Sequence, residues 1–204
     1  MLIVGLTGSI GMGKSTAAAY LREQGIPVFD ADAEVHRLYE GAAVAPIEAA
    51  FPGTTAGGRV DRGKLSTALL LAPERFGELE AIVHPLVRAS ERAFLKAEAA
   101  RGTKVAVLEI PLLFETGADK LVDATIVMSS TPELQRQRLM KRDNITREKL
   151  ERLIARQMPD AEKRARADFV VDTSGEISEG RAQLDVIVAQ LRKRNAKAYT
   201  AHWA

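Results

Sequence analysis

The sequence of 204 residues contains no cysteine, which excludes disulfides and thiolate metal sites and suits a reducing cytosol. Aromatic residues make up only 5%, and a formal net charge of +2 is too small to argue for a nucleic-acid partner. No stretch approaches the roughly 18 apolar residues that a membrane-spanning helix requires. The apolar run at Leu2, Ile3 and Val4 breaks at Gly5, so neither a membrane partner nor a signal peptide is expected, and a cytoplasmic location is. The remaining composition, 46% hydrophobic and 27% charged, is that of a globular chain long enough for one α/β domain with insertions. Oligomeric state has no signature in it.

The most informative segment lies near the start. Gly8 to Ser15 fits the pattern G-x-x-x-x-G-K-[ST], and the apolar residues Leu2, Ile3, Val4 and Leu6 form a strand leading into it. After Lys14, the stretch KSTAAAYLREQG offers Ala17, Ala18 and Leu21 for a buried face and Gly25 as a stop, so a helix is predicted to begin within the loop. The order strand, glycine loop, lysine, hydroxyl, helix has a physical purpose. Glycines let the backbone curl around a phosphate, a helix N-terminus attracts anions, and Lys14 adds an ammonium near the β and γ oxygens. Ser15 would be a ligand of Mg²⁺. The loop alone leaves the fate of the γ-phosphate open, because switches and small-molecule kinases share it.

Strand and helix patterns alternate along the chain, which predicts a parallel sheet covered on both faces. Further strands are expected at Ile26 to Asp30, Lys104 to Ile110, Ala124 to Met128 and Asp168 to Asp172, and a last helix around Ser178 to Arg194. Two segments exceed a simple alternation. Residues 31–102 are too long for one crossover and contain several helical patterns, with a glycine-rich break at FPGTTAGGRVDRG. Within them Leu79, Ile82, Val83 and Leu86 recur at helical spacing, but Pro85 disfavours a helical His84, so one helix is expected to end there and another to start at Pro85. Residues 131–166 are rich in Arg and Lys and carry an apolar stripe at Leu150, Leu153, Ile154 and Met158, which predicts a helical pair. Most of these cations are expected on a solvated face, with one or two arginines available to a transferring phosphoryl group. The tail AKAYTAHWA has no clear period.

Ligands of open α/β sheets bind beyond the carboxyl ends of the strands, which places Asp30 and Asp32 toward the crevice used by the phosphate loop. A carboxylate there can accept or orient the proton of an attacking hydroxyl, and Asp32 is the preferred candidate. Either aspartate could instead cap the helix that starts near Ala33. Glu109 closes a hydrophobic strand where an acid can help to hold Mg²⁺. Leu112, Leu113 and Phe114 follow it, as a substrate wall or as ordinary core.

The segments TGSIGMGKST, GIPVFDADAEVHRL, VDRGKL, LEAIVHPLVR, EIPLLFE, RLMKRDNIT and RQMPDAEKRARADFVVD together resemble the dephospho-coenzyme A kinase family, in order and along nearly the whole chain. The resemblance implies a P-loop NTPase three-layer fold with a five-stranded parallel sheet. Its core would comprise 1–30, 103–130 and 167–204, with a helical substrate subdomain at 31–102 and a helical lid at 131–166. It also implies ATP-dependent phosphorylation of the ribose 3′-hydroxyl of dephospho-CoA. Gly11, Met12, Gly13, Lys14, Ser15 and Thr16 would hold the ATP phosphates, and Asp32 would be the base or hydroxyl-orienting group. His84 and Arg88 would serve the dephospho-CoA side, with Leu113, Phe114 and Glu115 lining the region between substrate and nucleotide. Arg142 would be the lid arginine, with Arg138 as the alternative. Another P-loop kinase, for nucleotides, shikimate or gluconate, is the competing reading.

Overall fold

A computed structural model of the chain describes residues 1–141 and 157–204. It divides into two compact units, one made of residues 1–29 and 95–204 and the other of residues 30–94.

The first unit is built on a five-stranded sheet of order β2-β5-β1-β6-β7. Its strands are β1 (Leu2–Thr7), β2 (Val28–Asp30), β5 (Val105–Glu109), β6 (Ala124–Ser129) and β7 (Phe169–Asp172). β1 runs parallel to β5 on one side and to β6 on the other. Every residue of β1, β5 and β6 is buried, as expected of a parallel sheet covered on both faces by helices. Helix α1 (Lys14–Glu23) packs Ala17, Ala18 and Leu21 on the sheet, and Gly25 ends the turn beyond it with φ of 73°. The C-terminal helix Ile177–Leu191 adds Leu184, Ile187 and Leu191 to the same core. The tail, without a period in sequence, closes in a turn at Tyr199–Trp203. Trp203 is buried there, and its Nε1 donates to Leu121 O at 2.8 Å.

The second unit has its own core. Leu38 from α2 (Ala31–Leu38), Ile47 from α3 (Val44–Ala50), Leu65 and Leu69 from α4 (Arg62–Leu71), and Val83 from α5 (Phe76–Ala100) meet around Phe51 and Val60. The glycine-rich break is an ordered hairpin, with β3 (Thr55–Ala56) antiparallel to β4 (Arg59–Val60). Gly57 and Gly58 turn it with φ of 57° and 74°, the double left-handed conformation that a tight two-residue loop demands.

One expectation is corrected here. The helix does not stop at His84: α5 is continuous from Phe76 to Ala100 with Pro85 inside it. Proline removes one backbone donor and crowds the preceding turn. Against that, Leu79, Ile82, Val83, Leu86 and Val87 on both sides of Pro85 all pack into one cluster, which only an unbroken helix can present. In the segment 131–166, α6 (Pro132–Met140) and a helix at Asp160–Arg166 are described. Leu150, Leu153, Ile154 and Arg142 lie outside the described residues.

Candidate active site

The phosphate loop follows β1, the central strand, at its carboxyl end. Gly8 and Gly11 have φ of 146° and 80°. A Cβ at Gly8 would stand 2.4 Å from Met128 O, so the loop can pass over the end of β6 only without a side chain. Gly13 precedes α1 in a left-handed conformation with φ of 88°, and no side chain caps this helix. Its first turn therefore presents backbone donors suited to an anion. Lys14 Nζ donates to Gly8 O at 2.7 Å and Ser9 O at 3.3 Å, so the ammonium is held across the mouth of the loop. Ser15 and Thr16 are exposed, whereas the Met12 side chain is buried in the core and leaves only its backbone to the loop.

The acids separate by role. Asp30, the last residue of β2, caps α2: its carboxylate accepts from Ala33 N–H at 2.9 Å. Asp32 stands exposed in the first turn of α2, and the capping task belongs to its neighbour. Glu109 is buried at the end of β5, level with Leu6 on β1.

Asp32, His84 and Arg88 all belong to the 30–94 unit. A hydrogen bond between Glu34 and Ser90 links α2 to α5, and with an Arg37 hydrogen bond as the main cause it keeps the Glu34 carboxyl below its usual range. His84 is exposed, and Arg88, one turn further along α5, is half-buried. Arg88 Nη1 lies 3.0 Å from Glu91 Oε2. Glu91 is almost fully buried, and loss of water pushes its carboxyl up to about 7 although the guanidinium pulls the other way.

Leu113 and Phe114 are buried, with Arg166 stacked on the Phe114 ring at 4.6 Å. Leu113 packs beneath the sheet, since a Cβ at Gly5 would come within 2.7 Å of its Cδ2. Glu115 is tied down as well: its Oε1 accepts from Lys163 Nζ and from Met158 N–H, each at 2.9 Å. Burial acts to raise the Glu115 carboxyl, but these donors outweigh it and hold it below the usual range. Lys163 is completely buried and also donates to Pro111 O at 3.3 Å.

Several contacts to the loop have no signature in the sequence. Gln135 on α6 donates to Ile10 O at 2.8 Å, and Gln157 accepts from Ile10 N–H at 2.9 Å. Arg138, the alternative lid arginine, donates to the hydroxyl of Thr173 at 3.1 Å and to its carbonyl. Side-chain amides and a single threonine follow no hydrophobic period, so only the fold brings them to the loop.

Residues 2–179 match the family described as dephospho-CoA kinase. The dephospho-CoA kinase of Rhizobium meliloti is 57% identical over 192 residues, covering 94% of this chain and 99% of that protein. That of Rhodopseudomonas palustris is 55% identical over 193 residues, covering 95% and 97%. A crystal structure of a Thermus thermophilus protein, 38% identical, superposes with a TM-score of 0.80 over 93% of this chain and 97% of that one. The dephospho-CoA kinase of Campylobacter jejuni, 24% identical, shares the fold with a TM-score of 0.71 over 94% and 97%. The glycine loop on the central strand and the match along almost the whole length agree: the chain belongs to the dephospho-CoA kinase family.

Proposed function

We propose that this protein transfers the γ-phosphoryl group of ATP to the ribose 3′-hydroxyl of dephospho-CoA, giving coenzyme A and ADP. The observation that carries the reading is the concave glycine loop with Lys14 at the head of α1, in a chain of this family. ATP phosphates bind to the backbone donors of Gly11 to Thr16, with Lys14 leaving the loop carbonyls for the phosphate oxygens. Asp32 accepts or orients the 3′-hydroxyl proton, and His84 and Arg88 hold the acceptor. The acceptor subdomain is assigned to 31–102 and the lid to 131–166, with Arg142 as its phosphate-facing arginine. Leu113 and Phe114, both buried, and Glu115, ion-paired to Lys163, support the wall between the two substrates from behind.

Ser15 and Glu109 offer one hydroxyl and one carboxylate, hard oxygen donors that suit Mg²⁺. When bound, the ion would neutralise charge on the β and γ oxygens. The protein's own residues do the rest: the loop and Lys14 fix the donor phosphate and balance its charge, and Asp32 fixes the hydroxyl for in-line attack. Nucleic acid and membrane have no part in this chemistry, and a cytoplasmic site of action suits a cysteine-free chain.

ADP release coupled to a reporter enzyme tests the assignment. Dephospho-CoA should stimulate it, while shikimate, gluconate and AMP should leave it at background. Stimulation by one of those three and not by dephospho-CoA would overturn it.

A further inference from the structure

Besides Gln157, which accepts from Ile10 N–H at 2.9 Å, three side chains engage the carbonyl oxygens of Ile10, Gly11 and Met12 in the phosphate loop. Gln135 Nε2 donates to Ile10 O at 2.8 Å. The Thr173 hydroxyl, just beyond β7, lies 3.2 Å from Met12 O and 3.0 Å from Ser129 O, so its one hydrogen is shared between the loop and the end of β6. Arg138, in the last turn of α6, donates to that hydroxyl and to the Thr173 carbonyl, with a longer contact of 3.5 Å to Gly11 O. A guanidinium can only donate. The threonine oxygen must therefore accept from Arg138, and its own hydrogen is left to point at the carbonyls.

The consequence follows from the peptide plane. In a trans peptide the C=O and N–H point in opposite directions. Ile10 O shares a plane with the Gly11 N–H, and Met12 O with the Gly13 N–H. Holding both oxygens outward turns both amides toward the opposite, inner side. Gly11 and Gly13 have φ of 80° and 88°, and glycine has no side chain to restrict rotation, so contacts from outside the loop add to the internal bond from Met12 N–H to Ser9 O at 3.2 Å. The Thr173 methyl group adds to it, lying 3.5 Å from where a Gly13 Cβ would stand.

We infer that Thr173, secured by Arg138 and assisted by Gln135, is a positioning residue that aims the Gly11 and Gly13 amides at the phosphates of ATP. This rests on the reading of the loop as the ATP site, and it gives Arg138 a task carried out through the loop backbone. The orientation is set before nucleotide arrives, so the loss should appear in ATP affinity.

Thr173→Val keeps the shape and removes the hydroxyl. Losing the donation to Met12 O, together with the acceptor that secures Arg138, should raise the Kd for ATP roughly five- to tenfold. The KM for dephospho-CoA should stay at its wild-type value, and Thr173→Ser should restore ATP binding. Gln135→Leu, which removes the second restraint, should weaken ATP in the same direction. Unchanged ATP affinity in both Thr173→Val and Gln135→Leu would overturn the inference, as would an affinity loss that Thr173→Ser fails to restore. Direct ATP binding needs no acceptor, so a wrong assignment of dephospho-CoA would leave this result readable.

Discussion

Glu91 should make the stability of this protein fall as pH rises through neutrality. Its carboxyl titrates near 7 in the folded chain against an ordinary value of 4.5, because burial on α5 penalises the charged form more than Arg88 at 3.0 Å favours it. A carboxyl raised in this way binds its proton more tightly when folded. Its contribution is therefore fully present below about pH 4.5 and is lost as pH climbs through 7. Worked through the linkage relation, the loss between pH 5 and pH 8 is about 2.5 kcal/mol, large beside a typical domain stability of about 5–15 kcal/mol. Urea unfolding of wild type and Glu91→Gln at pH 5, 6, 7 and 8 isolates this group, since other titrating side chains are common to both proteins. The variant should gain on wild type by that amount across the range. Parallel curves would refute the reasoning, showing that Arg88 or water compensates the buried charge in full.

Three further outcomes are expected. Lys14→Ala should lower kcat by orders of magnitude with an unchanged far-UV melting curve, as expected when an ammonium on the transferring phosphate is lost. Asp32→Asn should lower kcat far more than it weakens ATP binding by calorimetry, because the role proposed for Asp32 is on the acceptor hydroxyl, while the helix cap is carried by Asp30. Lys163→Met should destabilise by about 1–3 kcal/mol in urea by removing the bonds of the buried ammonium to Glu115 and Pro111 O, and Lys163→Met with Glu115→Leu should recover part of it.

The elements visible in the sequence were those with a strong local cause. Runs such as Val105 to Glu109 and Ala124 to Ser129 are apolar and β-branched because both faces of the sheet are covered, and they are strands as expected. The phosphate loop was legible because its glycines and Lys14 have few other uses in that order. Pro85 misled because a local preference was set against packing on both sides of it, and packing prevailed. The hairpin at Gly57 and Gly58 joins strands too short to show alternation, although the glycine pair itself was a signal. Trp203 gave no period because one buried ring, fixed by Leu121 O, anchors the tail. The contacts of Gln135, Arg138 and Thr173 with the loop bring together residues more than 120 positions apart from it, and such pairing has no trace in local composition.

Phosphoryl transfer to one particular hydroxyl is the centre of the account, and phosphorus NMR of the reaction with ATP, Mg²⁺ and dephospho-CoA measures it directly. A new phosphomonoester resonance coupled to the ribose 3′ proton, growing in step with ADP, is the predicted result. Inorganic phosphate accumulating while dephospho-CoA remains intact, or a phosphomonoester on another position of the acceptor, would contradict it.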